Sequence, residues 1–141
     1  MIKLICALVL LLSMSITQAE VVLINNKAVP QTKLYRYEIQ SIFTLNAAYW
    51  SNGIPVTPIF LSFDDPLHAL FVTQILHLTP YNFDIVVGNK IQQGAAKHYV
   101  SVSTLEEAIT AVESISGAIA YVPYAHLTLK NTNVRAIEVL D

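Results

Sequence analysis

The sequence is short of cysteine and glycine, and each shortage removes a class of chemistry. Cys6 is the only cysteine in 141 residues and lies inside the apolar N-terminal run. Downstream of that run there is no thiol nucleophile, no thiolate metal ligand and no disulfide. Four glycines leave little for a phosphate-cradling loop, and no G-x-S-x-G elbow, Walker loop or G-x-G-x-x-G occurs. His68, His77, His98 and His126 include no i, i+3 or i, i+4 pair, and there is no H-E-x-x-H. His68 and His77 would project from opposite sides of one continuous helix, so they share no metal. Arginine is absent between Tyr37 and Val134, and no basic run is present to track a phosphate backbone, which argues against nucleic acid as a partner. There is no internal repeat and no low-complexity segment. Nothing here calls for a catalytic residue, a metal or a cofactor.

What is present begins with a leader. Lys3 supplies a positive start, Leu4 to Leu12 an apolar core, and Thr17 and Ala19 stand three and one residues before Glu20. This is the pattern of a secretory signal with cleavage after Ala19. The apolar run is about half the roughly 20 residues a membrane-spanning helix needs; an uncleaved anchor is the alternative reading. Residues 1–19 are thus a signal peptide and residues 20–141 one domain of about 120 residues, enough for a single core. Without Lys3 the domain carries seven basic and ten acidic residues. The expected product is a periplasmic or secreted protein with no stable membrane span.

Strand and helix signals alternate. Glu20–Ile24 is a β-branched apolar run ending at Asn25-Asn26, as expected of a strand buried on both faces in a parallel sheet. Lys33–Leu45 places Tyr35, Ile39, Ile42 and Phe43 on one helical face. Trp50–Pro55 is a turn around Asn52-Gly53, and Val56–Leu61 a strand whose pairing starts near Pro58. Asp64 or Asp65 then caps a helix with Pro66 at its first position, buried through Leu67, Leu70, Phe71, Ile75 and Leu78. Thr79-Pro80 starts another helix that runs towards Gln93 and stops at Gly94. Tyr99–Val102 is extended, and Ser103 to Glu106 has the spacing of a capping box. Leu105, Ala108, Ile109, Val112 and Ile115 follow on one face, with Gly117 as the C-cap. Ala118–Val122 and Ala136–Leu140 are the last strands. The expected fold is α/β, a mostly parallel sheet with helices on both faces.

In such a sheet, ligands settle outside the carboxyl ends of strands, beside helix N-termini. The candidate ligand-binding residues are therefore Asn25 at the end of the first strand, Ser62, Asp64, Asp65 and His68 at the link into the capped helix, and Tyr121 at the end of a later strand. Tyr121 to Tyr124 is a candidate rim. Tyr35, Phe43, Tyr49 and Trp50 read as core and core-edge residues, and Asp64 and Asp65 as capping groups rather than an acid/base or cation pair.

Five pieces in register, Ile42-Phe43, Trp50–Gly53, Val56–Ile59, the helix start after Leu61 and Gly117–Val122, resemble the phosphate-binding proteins of ABC importers. These are type 2 periplasmic binding proteins, and the likeness is to short members that look like one lobe of the two-lobed form. The resemblance implies a single binding-protein lobe that takes a small anion or related solute, alone or as a homodimer. Members that grip phosphate carry an arginine and a G-S-G-T-like loop where this chain has Leu61-Ser62-Phe63-Asp64-Asp65-Pro66, which implies weak phosphate binding. The alternative is an exported module that uses the same scaffold to bind a protein partner. Intact-mass analysis of the exported product is expected to show Glu20 as the first residue; a mass that includes Met1 to Ala19 would establish an anchor.

Overall fold

The structure is a computed structural model and describes residues 20–127 and 133–141; the leader and its cleavage site lie outside them. The chain order is β1 (Val21–Asn26), β2 (Lys33–Tyr35), α1 (Arg36–Phe43), β3 (Thr57–Phe60), α2 (Pro66–Gln74), α3 (Pro80–Gln92), β4 (Val100–Ser101), α4 (Leu105–Ser114), β5 (Ala118–Pro123), a 3-10 turn at Tyr124–His126, and β6 (Val134–Leu140). The six strands form one sheet in the order β2-β6-β1-β5-β3-β4.

Alternation along the strands assigns each residue to one of two cores. Val21 and Leu23 of β1, Phe60 of β3 and Ile119 and Tyr121 of β5 join Ile39, Ile42 and Phe43 of α1, Phe71 and Val72 of α2 and Phe83 and Val87 of α3. The intervening residues, Ile24, Ile59, Ala118, Ala120 and Val122, face Ala108 and Val112 of α4. The alanines of β5 let α4 lie close against the sheet. Among the described residues no helix is long and apolar enough to cross a membrane.

The sheet is mostly parallel, as expected, with one reversal at its centre. β1 lies between β5 and β6 and runs antiparallel to both, with Leu23 opposite Tyr121 on one side and Ile137 on the other. The pairs β3–β5, β3–β4 and β2–β6 are parallel. A strand buried on both faces reads the same in either direction, so the apolar run could not reveal the reversal.

Several local expectations change. The helix expected from Lys33 begins only at Arg36, because Lys33-Leu34-Tyr35 pairs with β6 as an edge strand whose single buried residue is Leu34. Tyr35 is exposed and stacks on Tyr37 rather than entering the core. At the start of α4 the cap is Thr104 rather than Ser103: its Oγ1 accepts the Glu107 N–H at 3.1 Å. The Glu107 carboxylate accepts the Ser103 N–H at 3.1 Å, one residue before the cap, so no reciprocal capping box forms. Thr79 precedes α3 without a side-chain cap bond.

Gly117 is not a helix C-cap either; α4 ends at Ser114. Its carbonyl accepts the Trp50 indole N–H at 3.0 Å and the Thr57 N–H at 3.0 Å. This clamps the turn after α1 onto the start of β5. A Cβ at Gly117 would stand 1.8 Å from the Pro55 carbonyl oxygen, a backbone atom that cannot swing aside. The turn itself uses Gly53 at φ +85°, as the Asn-Gly signal requires. Gly117→Ala is therefore expected to destabilise the protein by about 2 kcal/mol or more through overpacking, read as a lowered urea midpoint at unchanged m-value.

Candidate functional site

At the carboxyl ends of β3 and β4 lies an open crevice of about 380 Å³. Its walls are Leu61, Ser62 and Phe63 leaving β3, Ser101, Val102 and Ser103 leaving β4, and Ile91 of α3. Ser62, Ser101 and Ser103 are exposed at the mouth, and the apolar residues form the floor. The crevice offers hydroxyl donors and acceptors over an apolar base.

The backbone donors expected at its helix start are occupied. The Asp65 carboxylate accepts the Leu67 N–H at 2.8 Å, the N-cap bond foreseen from Asp-Pro. The Asp65 carbonyl accepts the His68 N–H at 3.0 Å. The Ser62 carbonyl accepts the Asp65 N–H at 2.9 Å, closing the turn that carries exposed Asp64. Both arginines are committed elsewhere. Arg36 bonds the Ile75 carbonyl and the Asp141 carboxylate, and Arg135 bonds Asn25 and the Val29 and Gln31 carbonyls.

Behind this crevice runs a buried polar chain that the sequence reading did not foresee. The Leu61 N–H donates to the Tyr121 hydroxyl oxygen at 3.0 Å. Tyr121 Oη lies 2.9 Å from His68 Nδ1, and His68 Nε2 lies 2.8 Å from Asp84 Oδ1. A carboxylate only accepts, so the neutral ring carries its proton on Nε2 and takes the Tyr121 O–H at Nδ1. Every polar atom of the two buried rings then has a partner. His68 is 0% and Tyr121 1% exposed. Phe63 stacks on the imidazole at 4.6 Å and Phe71 on the phenol ring at 4.0 Å. Burial pushes the Tyr121 phenol well above its ordinary value of 10.0, outweighing the Leu61 bond, with the charges of Asp65 and Asp84 adding to the rise. The arrangement resembles an acid–base relay in connectivity, but its terminal hydroxyl is sealed from solvent and held protonated, so it fastens β3, β5, α2 and α3 together.

The six candidate residues therefore part company. Ser62, Asp64 and Asp65 sit at or beside the crevice, Asp65 as a cap. His68 and Tyr121 lie behind it as buried structural groups, not on the rim; only Tyr124 of the expected rim is exposed. Asn25 is at the other end of the sheet because β1 is reversed: it pairs with Ile119 near the start of β5. It is buried, donates to the Gln31 carbonyl at 2.9 Å and accepts from Arg135 at 3.1 Å. His77 stands beyond the end of α2, exposed and apart from His68. Asp84 was missed; the one signal for it is a lone acid within the apolar stretch of α3, Phe83 to Val87. Of the aromatics expected in the core, Phe43 and Trp50 are buried, whereas Tyr49 joins Tyr35 on the surface.

No family model matches the sequence, and no curated protein matches it. Solved structures do match. PstS from Borrelia burgdorferi superposes with a TM-score of 0.64 at 14% identity, over 86% of this chain and 47% of that one. An ABC-type phosphate transport receptor from Vibrio cholerae gives 0.60 at 16% identity, over 86% and 46%. A phosphate ABC transporter substrate-binding protein from Clostridium perfringens, solved with bound phosphate, gives 0.59 at 16%, over 86% and 45%. The chain has the fold of one lobe of such binding proteins and spans less than half the length of each.

The buried phenol has a consequence for alkaline stability. The folded state holds Tyr121 protonated above its unfolded value of 10.0, so its contribution is intact below about pH 10 and is lost as pH rises above it. In that window the wild type is expected to lose about 1.4 kcal/mol per pH unit relative to Tyr121→Phe. At neutral pH Tyr121→Phe is itself expected to be about 1 to 3 kcal/mol less stable, because the Leu61 N–H and His68 Nδ1 lose their partner. Urea unfolding of both proteins from pH 7 to 11.5 measures the two effects; parallel pH profiles would show that Tyr121 ionises freely in the fold.

Proposed function

We propose that this protein is an exported, non-catalytic solute-binding lobe that takes a small polar solute other than free phosphate in the crevice at the carboxyl ends of β3 and β4. The observation that carries this reading is the occupation of the helix-start donors. Leu67 N–H is held by the Asp65 carboxylate and His68 N–H by its carbonyl, while both guanidinium groups are bonded at other places. A phosphate dianion needs those donors and a facing arginine. Here it would meet carboxylates, and at about 4 Å with an effective dielectric near 20 each unit like-charge pair costs about 4 kcal/mol. The serine hydroxyls over an apolar floor suit a hydroxyl- or amide-bearing solute instead. The likeness to phosphate-binding structures supports the location of the crevice, and its chemistry supports a different occupant.

A second reading, a module that docks to a protein or to its own copy, draws support from α3. Tyr81, Ile85 and Val86 are exposed on this helix, and the exposed residues beside them, Asn82, Asn89 and Gln92, are uncharged. Interfaces are depleted of charge and enriched in aromatics in this way. Sedimentation velocity of the wild type against Ile85→Lys distinguishes self-association through this face from a monomeric solute binder.

Calorimetric titration of the domain with inorganic phosphate is expected to give a dissociation constant no tighter than about 1 mM. Micromolar binding would overturn the reading. Replacing Asp64 and Asp65 together by Asn should then tighten binding further only if the anion sits at this helix start.

A further inference from the structure

A second opening lies at the amino end of β3, away from the crevice. Two cavities of about 270 and 240 Å³ adjoin there and share Ala47, Tyr49 and Val56 as a common wall. Their chemistry is opposite. The first is lined by Lys97 and His98 and by no acid. Lys90 stands behind it, its Nζ fixed on the Thr44 carbonyl at 2.7 Å and on Asn46 Oδ1 at 2.5 Å. Glu38 is the one charged residue lining the second.

The walls are fixed in advance. Glu38 Oε2 accepts the Tyr35 N–H at 2.8 Å, which holds the carboxylate in place at the first turn of α1. Tyr37 and Tyr49 both line the second cavity yet are each 67% exposed. Tyr37 is braced by its stack on Tyr35, with ring centroids 5.6 Å apart. Tyr49 is held in a tight turn by a bridge to Pro55 and by the bond from Val56 N–H to the Ala48 carbonyl at 3.0 Å. Tyrosine rings beside a carboxylate attract a cation through both ring quadrupole and charge. Lysine and histidine beside an amide attract a carboxylate.

We infer that this two-chambered groove binds a short zwitterionic peptide, its ammonium end between Tyr37, Tyr49 and Glu38 and its carboxylate end at Lys97 and His98. Tyr49 is the ridge that the backbone crosses. A tripeptide extends over about 10 Å, which lets its two charged ends lie on either side of Tyr49. The site is distinct in position and in charge from the strand-end crevice and does not depend on what that crevice holds.

The test is an NMR titration of the isotope-labelled domain with trialanine, followed at the backbone amides of Glu38, Tyr49 and Trp50, residues that line the second cavity. Saturable shifts with a dissociation constant of about 1 mM are expected, as for a small ligand in an open site. Trialanine amide keeps only the ammonium and N-acetyl-trialanine only the carboxylate; each is expected to bind about fivefold more weakly, the scale of one solvent-accessible ion pair. Glu38→Gln still accepts the Tyr35 N–H, and it should erase the preference for trialanine over the acetylated peptide. Lys97→Gln should erase the preference over the amide. The inference fails if trialanine causes no saturable shift in the wild type, if N-acetyl-trialanine amide, which carries neither charge, binds as well as the zwitterion, or if both variants, folded by thermal melt, keep the wild-type preferences.

Discussion

One buried hydroxyl holds the carboxyl end of the sheet together. Tyr121 Oη receives the first N–H after β3 and meets an imidazole on α2, which in turn meets a carboxylate on α3. His68 and Tyr121 are themselves closed to solvent, with Phe63 stacked on the imidazole and Phe71 on the phenol. A polar chain in a low-dielectric interior stabilises only when complete, and the loss of one member strands the rest. The position of the crevice walls is thus set from behind: Leu61 by its N–H, Phe63 by its stack, and Ile91 through the helix that Asp84 anchors.

The fold matches solved structures of phosphate-binding proteins, and the chemistry of its helix start is set by its own residues. An anion site of this kind consists of backbone donors left open for a ligand. Asp65 closes them from within, so a group that caps the helix also takes the place a bound anion would occupy. Fold likeness at 14 to 16% identity transmits the path of the backbone; it does not transmit which donors a helix start leaves open.

Much of this architecture could be read locally. Asp-Pro at the start of α2, Asn-Gly at the turn before β3, Gly94 beyond α3 and the apolar runs of β1, β3 and β5 each express a local conformational rule. What escaped the reading depends on partners far along the chain. The direction of β1 is decided by strands about a hundred residues away, and nothing in Val21–Asn26 encodes it. Lys33-Leu34-Tyr35 continued the helical period of α1 by coincidence, until β6 claimed it. Gly117 stands where a helix-ending glycine would, yet its lack of a side chain is required by Pro55, sixty-two residues earlier. His68, Asp84 and Tyr121 carry no mutual spacing, so their meeting is a property of the packed layers alone. The crevice position was legible from the strand-to-helix link; the occupation of its donors was legible only in part, through the cap.

The reversed central strand has a bearing on how the chain reaches this state. β1 is made first, yet its two neighbours in the sheet are β5 and β6, the last two strands. Until both exist, its apolar faces and both hydrogen-bonding edges have no permanent partner, and the two halves of the sheet cannot be joined. Pairing across so long a loop is entropically slow. The step that completes the sheet is therefore the entry of β1 between β5 and β6, which joins its two halves into one surface.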